Sequence, residues 1–346
     1  YEVYWVGLPD VRSLLPVHPR LHWVRKDSLK ALLVLLKAKF WVCCISVEWD
    51  LTHWPISEGA VLLNTWHGFG LKKIGEMTPA FLRSGKRMSR IGRIAKIISM
   101  HHRPWTLMPC QTDSDRLSRG EPFYFRKDRF LPFGTPNNDF MIQNRDNDLL
   151  RASLKEKYAK IFGFNPSKKV VLYFPTWRIT SKPVFSFYGM NDSRQSAWRK
   201  MLNENDAILI EKHHYRTFEL DPQILPSRCS VVVRPEQQSQ IDIQEMLLFS
   251  DILVSDYSGA YIDFGLLRRP CFHFAYDYEE YASGDSGFYY DLRDVAAGPI
   301  VNEEADLLHC ISDSLKNPVY SPASGYAKIV EYETGHSCEQ IVRFFE

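Results

Sequence analysis

The feature that most constrains this chain is a repeated alternation. Short, nearly continuous apolar runs rich in β-branched and aromatic residues are separated by stretches with helical spacing. The strand-like runs are "YEVYWVG", "FWVCCIS", "AVLLNTW", "WTLMPC", "KVVLYFPTW", "AILIEK", "CSVVVR", "DILVSD" and "PCFHFAY". Helical patterns fall between many of them, over Ser28–Lys37, Leu149–Phe162, Ile241–Phe249, Ser258–Leu267 and Glu303–Leu315. Strands apolar on both faces and linked by helices belong in parallel sheets covered on both sides. Two such sets meet around "GTPNNDFMIQNRDND", which predicts an α/β protein of two Rossmann-like domains with a cleft between them. The expected division is 1–145 and 146–346. The chain opens directly in a strand-like run without a methionine, so the first domain is expected to lack an earlier part of the native polypeptide.

Composition narrows the class. The 346 residues suffice for two α/β domains, and 45% hydrophobic with 24% charged residues describes a folded, water-compatible chain. The richest apolar run, "LKALLVLLKAKFWVCCI", is interrupted by Lys37 and Lys39 and falls short of the ~18 uncharged residues of a membrane span. It reads instead as a helix followed by a strand. A net charge of +2 makes any basic surface local. The seven cysteines contain no C-x-x-C pair, which suits reduced thiols in a cytosolic protein better than a disulfide frame or a zinc site.

In open parallel sheets ligands gather at the carboxyl ends of strands, and the strongest polar clusters lie there. In "NTWHGFGLKKIG", His67 follows a strand. Gly68 and Gly70 permit a tight turn and close backbone approach to a ligand, and Lys72 and Lys73 add positive charge. A neutral imidazole beside phosphate-binding cations can take a proton from an attacking hydroxyl. The bland reading is a histidine packed at a turn beside solvated lysines. In "YFPTWRIT", Thr176 and Arg178 follow the strand, and the planar fork of Arg178 suits a phosphate. A surface arginine stacked on Trp177 is the rival. In "ILIEKHHYRT", Lys212, His213 and His214 crowd one strand end; adjacent histidines point apart, so one faces the cleft and the other does not. Zinc ligands on a strand would prefer alternate positions. In "VSDYSGAYIDFG", Ser255, Asp256, Ser258 and Gly259 precede a helix whose free N–H groups and dipole suit a diphosphate, with simple capping by Ser258 as the alternative. The acidic pair Asp113 and Asp115 in "TDSD" has metal-ligand spacing, but its polar surroundings make it a solvated turn.

Together, in this order, these clusters resemble the CDP-glycerol glycerophosphotransferase family, the teichoic-acid primases and polymerases. "TWHGFGLKKIG" is similar to the family's W-H-G-x-x-L-K-K, "FGTPNND" to G-x-P-R-N-D and "FPTWR" to P-T-W-R. "EKHHY" is similar to K-x-H-P, and "VSDYSGAYIDFGLLRRP" to D-Y-S-S-x-x-x-D-x-x-L-x-x-P, which adds Asp263. The resemblance implies a two-domain GT-B fold, a donor site needing neither metal nor other cofactor, and action at the inner membrane surface. It implies His67 as general base on the acceptor hydroxyl. His214 would contact the donor phosphates and assist the leaving group, while Arg178 and Ser258 hold the pyrophosphate. Three positions depart from the pattern: Gly259 for the second serine, Tyr215 for proline and Asn137 for arginine. They leave His213 versus His214 open, and they admit a donor such as CDP-ribitol or a capsule rather than a wall polymer.

Between Glu76 and Asp113 there is no acidic residue, and the segment 80–104 carries Arg83, Lys86, Arg87, Arg90, Arg93, Lys96 and Arg103. Met88, Ile91, Ala95 and Ile98 recur at helical spacing, so an anionic membrane surface is the expected partner, with a partner helix as the rival. Nucleic acid is disfavoured because no aromatic platform is interleaved with the charges. The functional expectation is a phosphotransferase that moves a polyol phosphate, glycerol phosphate first, from a CDP-activated donor to a lipid-linked or polymeric acceptor and releases CMP. A GT-B glycosyltransferase is the alternative, and a binding module that lost catalysis is the third.

Overall fold

The computed structural model describes residues 1–54, 59–66, 68, 70–74, 77–79, 89–92, 107–120, 126–176, 186, 192–213, 230–284 and 287–346. His67, Arg178, His214 and all of the basic segment except residues 89–92 lie outside the described residues.

All nine strand-like runs contain a strand. In chain order the strands are β1 (Val3–Gly7), β2 (Leu21–Arg25), β3 (Phe40–Cys43), β4 (Val61–Asn64), β5 (Met108–Pro109), β6 (Phe130–Leu131), β7 (Lys169–Phe174), β8 (Ala207–Glu211), β9 (Ser230–Val232), β10 (Ile252–Ser255), β11 (Cys271–Phe274) and β12 (Ile300–Val301). The three that periodicity missed are β2, whose run is broken by His22 and Arg25, and the two-residue strands β6 and β12. Each described strand pairing is parallel.

The second half is built on one six-stranded sheet in the order β12-β11-β10-β7-β8-β9. Successive residues of β7 enter different apolar clusters: Val170 and Leu172 join one, Val171 and Tyr173 the other. That is the two-face burial that the unbroken apolar run requires. Helices Asp148–Phe162 and Ile243–Phe249 cover the first face, and Asp192–Glu204 and Glu304–Lys316 the second. Local chemistry sets the ends of helix Asp148–Phe162. The side chain of Asn147 accepts from Leu150 N at its start, and Gly163 turns left-handed (φ 78°) at its end.

In the first half, β3 pairs with β4, a bridge from Leu63 to Leu107 continues to β5, and β5 pairs with β6; β1 and β2 form a separate pair. The run "LKALLVLLKAKFWVCCI" divides as its lysines imply, into helix Leu29–Lys37 and β3. The hydroxyl of Ser28 caps that helix, accepting from Ala31 N at 3.1 Å. Among the described residues no helix is long and apolar enough to cross a membrane. The last helix, Ser337–Phe345, returns to the first half: Ile341 packs with Leu63 and Leu131, and Asp139 accepts from Ser337 N (2.9 Å) and Cys338 N (2.8 Å).

The acidic pair corrects the sequence reading. Asp113 is exposed beside Arg116 at 3.1 Å, as a solvated turn would have it, but Asp115 is fully buried. The π-helical turn Arg116–Gly120 brings Arg119 back over it as an ion pair whose two side chains are 1% and 0% exposed. A carboxylate four residues before an arginine on a turn of helix can neutralise it and be buried with it.

Candidate active site

Strand order locates the site. From β7 the chain moves outward through β8 to β9, then crosses to the other side of β7 for β10 and continues through β11 to β12. The order reverses between β7 and β10, and such a switch point opens a crevice at the carboxyl ends of the strands. Register aligns those ends, since Phe174 pairs with Ser255 and Tyr173 with Glu211. The residues that follow β7, β8 and β10 therefore emerge side by side.

At the switch point both carboxylate oxygens of the buried Asp256 accept from Thr176 N, at 2.8 and 3.0 Å, and one also accepts from Tyr257 N. The Ser255 hydroxyl donates to Phe174 O at 2.7 Å. Asp256 thus shapes the two loops as a brace. Its own backbone is held by His273, a residue the sequence reading passed over inside an apolar strand. His273 Nδ1 donates to Asp256 O (3.0 Å) and its Nε2 accepts from Ala297 N (3.2 Å). These bonds need the neutral ring, and burial lowers its pKa to about 4. The helix after this turn, Ala260–Gly265, has Gly259 at its N-cap, and Ser258 is half-buried before it. Ala260 N donates to the Ser258 hydroxyl at 3.4 Å.

After β8, His213 is buried. Its Nε2 lies 2.7 Å from Glu211, which also accepts from the Ser186 hydroxyl at 2.9 Å. Lys212 is buried too. Its amine donates to His213 O at 3.1 Å and lies 5.5 Å from the centre of the Phe174 ring, with no carboxylate partner among the described residues. Burial pushes its pKa from 10.5 down to about 8. An anion placed beside such an amine would favour its charged form and raise its pKa again.

The sign of the resulting pH dependence follows directly. Charged Lys212 is disfavoured in the folded protein, so the site costs stability below about pH 8. That cost fades as pH rises toward 10.5, where the unfolded chain also loses the proton. Binding of a phosphate-bearing ligand at this amine would run the other way. The affinity of such a ligand should hold below about pH 8 and then fall by up to about tenfold per pH unit as the amine deprotonates. Calorimetry with a nucleotide across that range checks it, and Lys212→Met should bind weakly with a flat profile. A variant that keeps the wild-type profile would mean that Lys212 receives no ligand phosphate.

Asp263 is placed differently from the other donor-side candidates. It accepts from Asn138 Nδ2 at 3.1 Å, across the junction between the two halves, and burial raises its pKa to about 7. Glu333, close by on the returning C-terminal segment, accepts from Thr135 N at 3.0 Å and is likewise raised to about 7 by burial.

On either side of His67 in the sequence, Trp66 adopts φ 54° and Gly68 φ 127°, both in the left-handed region. For a bulky tryptophan that conformation needs support. Asn64 Oδ1 accepts from Trp66 N at 2.9 Å, and the Cys44 thiol donates to Trp66 O at 3.3 Å. The space where Gly68 would carry a Cβ is open, so its left-handed backbone rather than crowding calls for glycine. Lys72 and Lys73 are half-buried.

Residues 1–346 match the family model of CDP-glycerol:poly(glycerophosphate) glycerophosphotransferases. The chain is 29% identical over 330 residues to the teichoic acid poly(glycerol phosphate) polymerase of Bacillus spizizenii, covering 93% of this chain and 78% of that one. It is 27% identical over 324 residues to the teichoic acid glycerol-phosphate transferase of Staphylococcus aureus, covering 92% and 79%. Among solved structures it is similar to the wall teichoic acid polymerase TagF, with a TM-score of 0.71 at 21% identity over 99% of this chain and 80% of that chain. The fold is therefore GT-B-like. The chain belongs to the CDP-glycerol:poly(glycerophosphate) glycerophosphotransferase family.

Proposed function

We propose that this protein transfers glycerol phosphate from CDP-glycerol to a hydroxyl of a lipid-linked or polymeric acceptor, in teichoic acid or capsule-type polymer synthesis. The acceptor oxygen forms a bond to the glycerol-bearing phosphorus. The bond from that phosphorus to the bridging oxygen breaks, and CMP leaves. His67 takes the proton of the attacking hydroxyl. Arg178, Lys212, His214 and the turn Ser255–Gly259 receive the donor phosphates, and Gly68, Lys72 and Lys73 let the acceptor's own phosphate approach. Transfer of this kind asks little covalent chemistry of the protein beyond positioning and charge stabilisation.

The observation that carries the reading is the switch point itself. Asp256 braces the loops after β7 and β10, and Lys212 is a buried amine with no carboxylate partner among the described residues. In this assignment the acceptor side is residues 1–145 with helix Ser337–Phe345 packed on it, and the donor side is the remainder. The basic segment 80–104 supports a cleft working at the anionic inner face of the membrane, where surface potential attracts arginine and lysine. The relatives' names favour a phosphotransferase over a sugar-transferring enzyme.

One assay tests these points. Purified protein, CDP-glycerol and a lipid-linked acceptor in anionic liposomes should yield CMP and an extended acceptor, with EDTA present throughout. The rate should drop when salt rises, because surface charge is screened within about 8–10 Å at physiological ionic strength. Release of CDP would move the assignment to glycosyl transfer. A rate indifferent to salt and to liposome charge would remove the membrane role of the basic segment.

A further inference from the structure

The segment after His67 reads in the sequence as a cationic loop, yet its first residue beyond the glycines is part of the other half's core. Leu71 has no exposed surface and belongs to the apolar cluster of the second half, together with Tyr257, Tyr281 and Phe288. Its backbone continues the attachment. Leu71 O accepts from Tyr289 N at 2.9 Å, Lys73 N donates to Gly287 O at 3.1 Å, and Lys72 bridges Phe288 in antiparallel fashion. Three consecutive residues of the first half are thus joined to residues 287–289 of the second by one antiparallel bridge and its two backbone hydrogen bonds.

The receiving side reaches the donor turn. The Phe288 ring lies 5.3 Å from Tyr257 and 5.6 Å from Tyr281, and Tyr257 stacks on Tyr281 at 4.5 Å. Tyr257 stands between Asp256, the brace of the switch point, and Ser258. One aromatic cluster therefore supports both the donor-phosphate turn and the loop that bears His67. The loop is also held from its own half: a Cβ at Gly70 would lie 2.3 Å from the side chain of Ser118.

We propose that Leu71–Lys73 is a positioning strap that fastens the His67 loop to the donor domain, with Leu71 as its anchor. This rests on the assignment of His67 as the general base. Only residues 68–70 separate the two, and two of them are glycines, a residue type that restrains the backbone least. Such a sequence relies on fixed neighbours to hold an imidazole in place. Misplacing a reacting group by about 1 Å costs on the order of 10²-fold in rate. Leu71 touches no substrate in this account; it acts through His67.

The test is a double-mutant cycle. Leu71→Ala is made in the wild-type and His67→Ala backgrounds, with CMP release in single turnover and CDP-glycerol affinity by calorimetry. In the wild-type background, turnover should fall by about 10–10²-fold while affinity stays within about threefold. Leu71→Met, which conserves volume, should recover most of the lost rate. In the His67→Ala background, Leu71→Ala should cost little more, since the residue it positions is gone. Gly287→Ala is the second variant, used should Leu71→Ala fail to fold. It strains a left-handed residue (φ 66°) and crowds Pro79 at 3.1 Å, disturbing the strap from the other side of the bridge. It should show the same pattern of rate loss without affinity loss. An equal rate loss in both backgrounds, or an affinity loss matching the rate loss, would overturn the proposal. Full activity of His67→Ala alone would instead refute the base assignment, leaving the strap nothing to position.

Discussion

His67→Ala should leave CDP-glycerol bound and nearly stop its consumption, with turnover falling about 10²–10⁴-fold, the usual cost of losing a general base. Nucleotide affinity should stay near wild type, because the donor-side groups come from β7, β8 and β10 in the other half of the chain. Arg178→Ala and His214→Ala should behave in the opposite way, weakening CDP-glycerol binding, since both are assigned to its phosphates. The conformations around His67 sharpen the expectation. Trp66 is held left-handed through Asn64 and Cys44, and Gly68 is left-handed in open space. Strained backbone of this kind persists where the surroundings enforce it, and it collects at functional sites. Calorimetry and CMP release on the three variants suffice. Normal turnover by His67→Ala, or a loss of nucleotide as large as that of Arg178→Ala, would end this division of labour.

Most of the fold was legible because two-face burial leaves an unmistakable pattern. In the strand "KVVLYF" every position after the exposed Lys169 is apolar, so its run stands out. The strand ends were legible for the same reason, and with them Thr176, Lys212, Ser255 and Asp256. What escaped was information held in partners distant along the chain. His273 lies in the middle of an apolar strand, and only the positions of Asp256 O and Ala297 N show it to be a support for the site. The burial of His213 depended on Glu211, two residues earlier, a spacing that period two already contained. Leu71 looked like an ordinary loop residue, because nothing local says that residues 287–289 will pair with it. Asp115 misled for a related reason. A polar composition suggests solvent, but polarity that pairs with itself can be buried.

That last case carries the second large effect. Asp115→Ala should destabilise the protein by about 3–5 kcal/mol, the range for removing one partner of a buried ion pair. The carboxylate accepts from Gln111 N at 2.8 Å and pairs with Arg119, and both side chains are essentially without exposed surface. Among the described residues the Arg119 Nε and Nη1 make no hydrogen bond, so removing Asp115 leaves a buried charge with only the Asp263 carboxylate acting on it without a hydrogen bond. Against a typical total of about 5–15 kcal/mol, such a loss should lower the melting temperature by on the order of 10 °C. Asp113→Asn should change stability by no more than about 0.5 kcal/mol, as its carboxylate is mostly in solvent. Asp115→Ala combined with Arg119→Met removes both charges and should recover much of the loss. The two acids thus separate a structural pair from a metal site. Metal ligands would make Asp113→Asn inactive and the wild type sensitive to EDTA, with little change in melting. Melting curves of the three variants decide it: an Asp115→Ala protein that melts like wild type, or a double variant no better than the single, would mean that Arg119 does not depend on Asp115 for its burial.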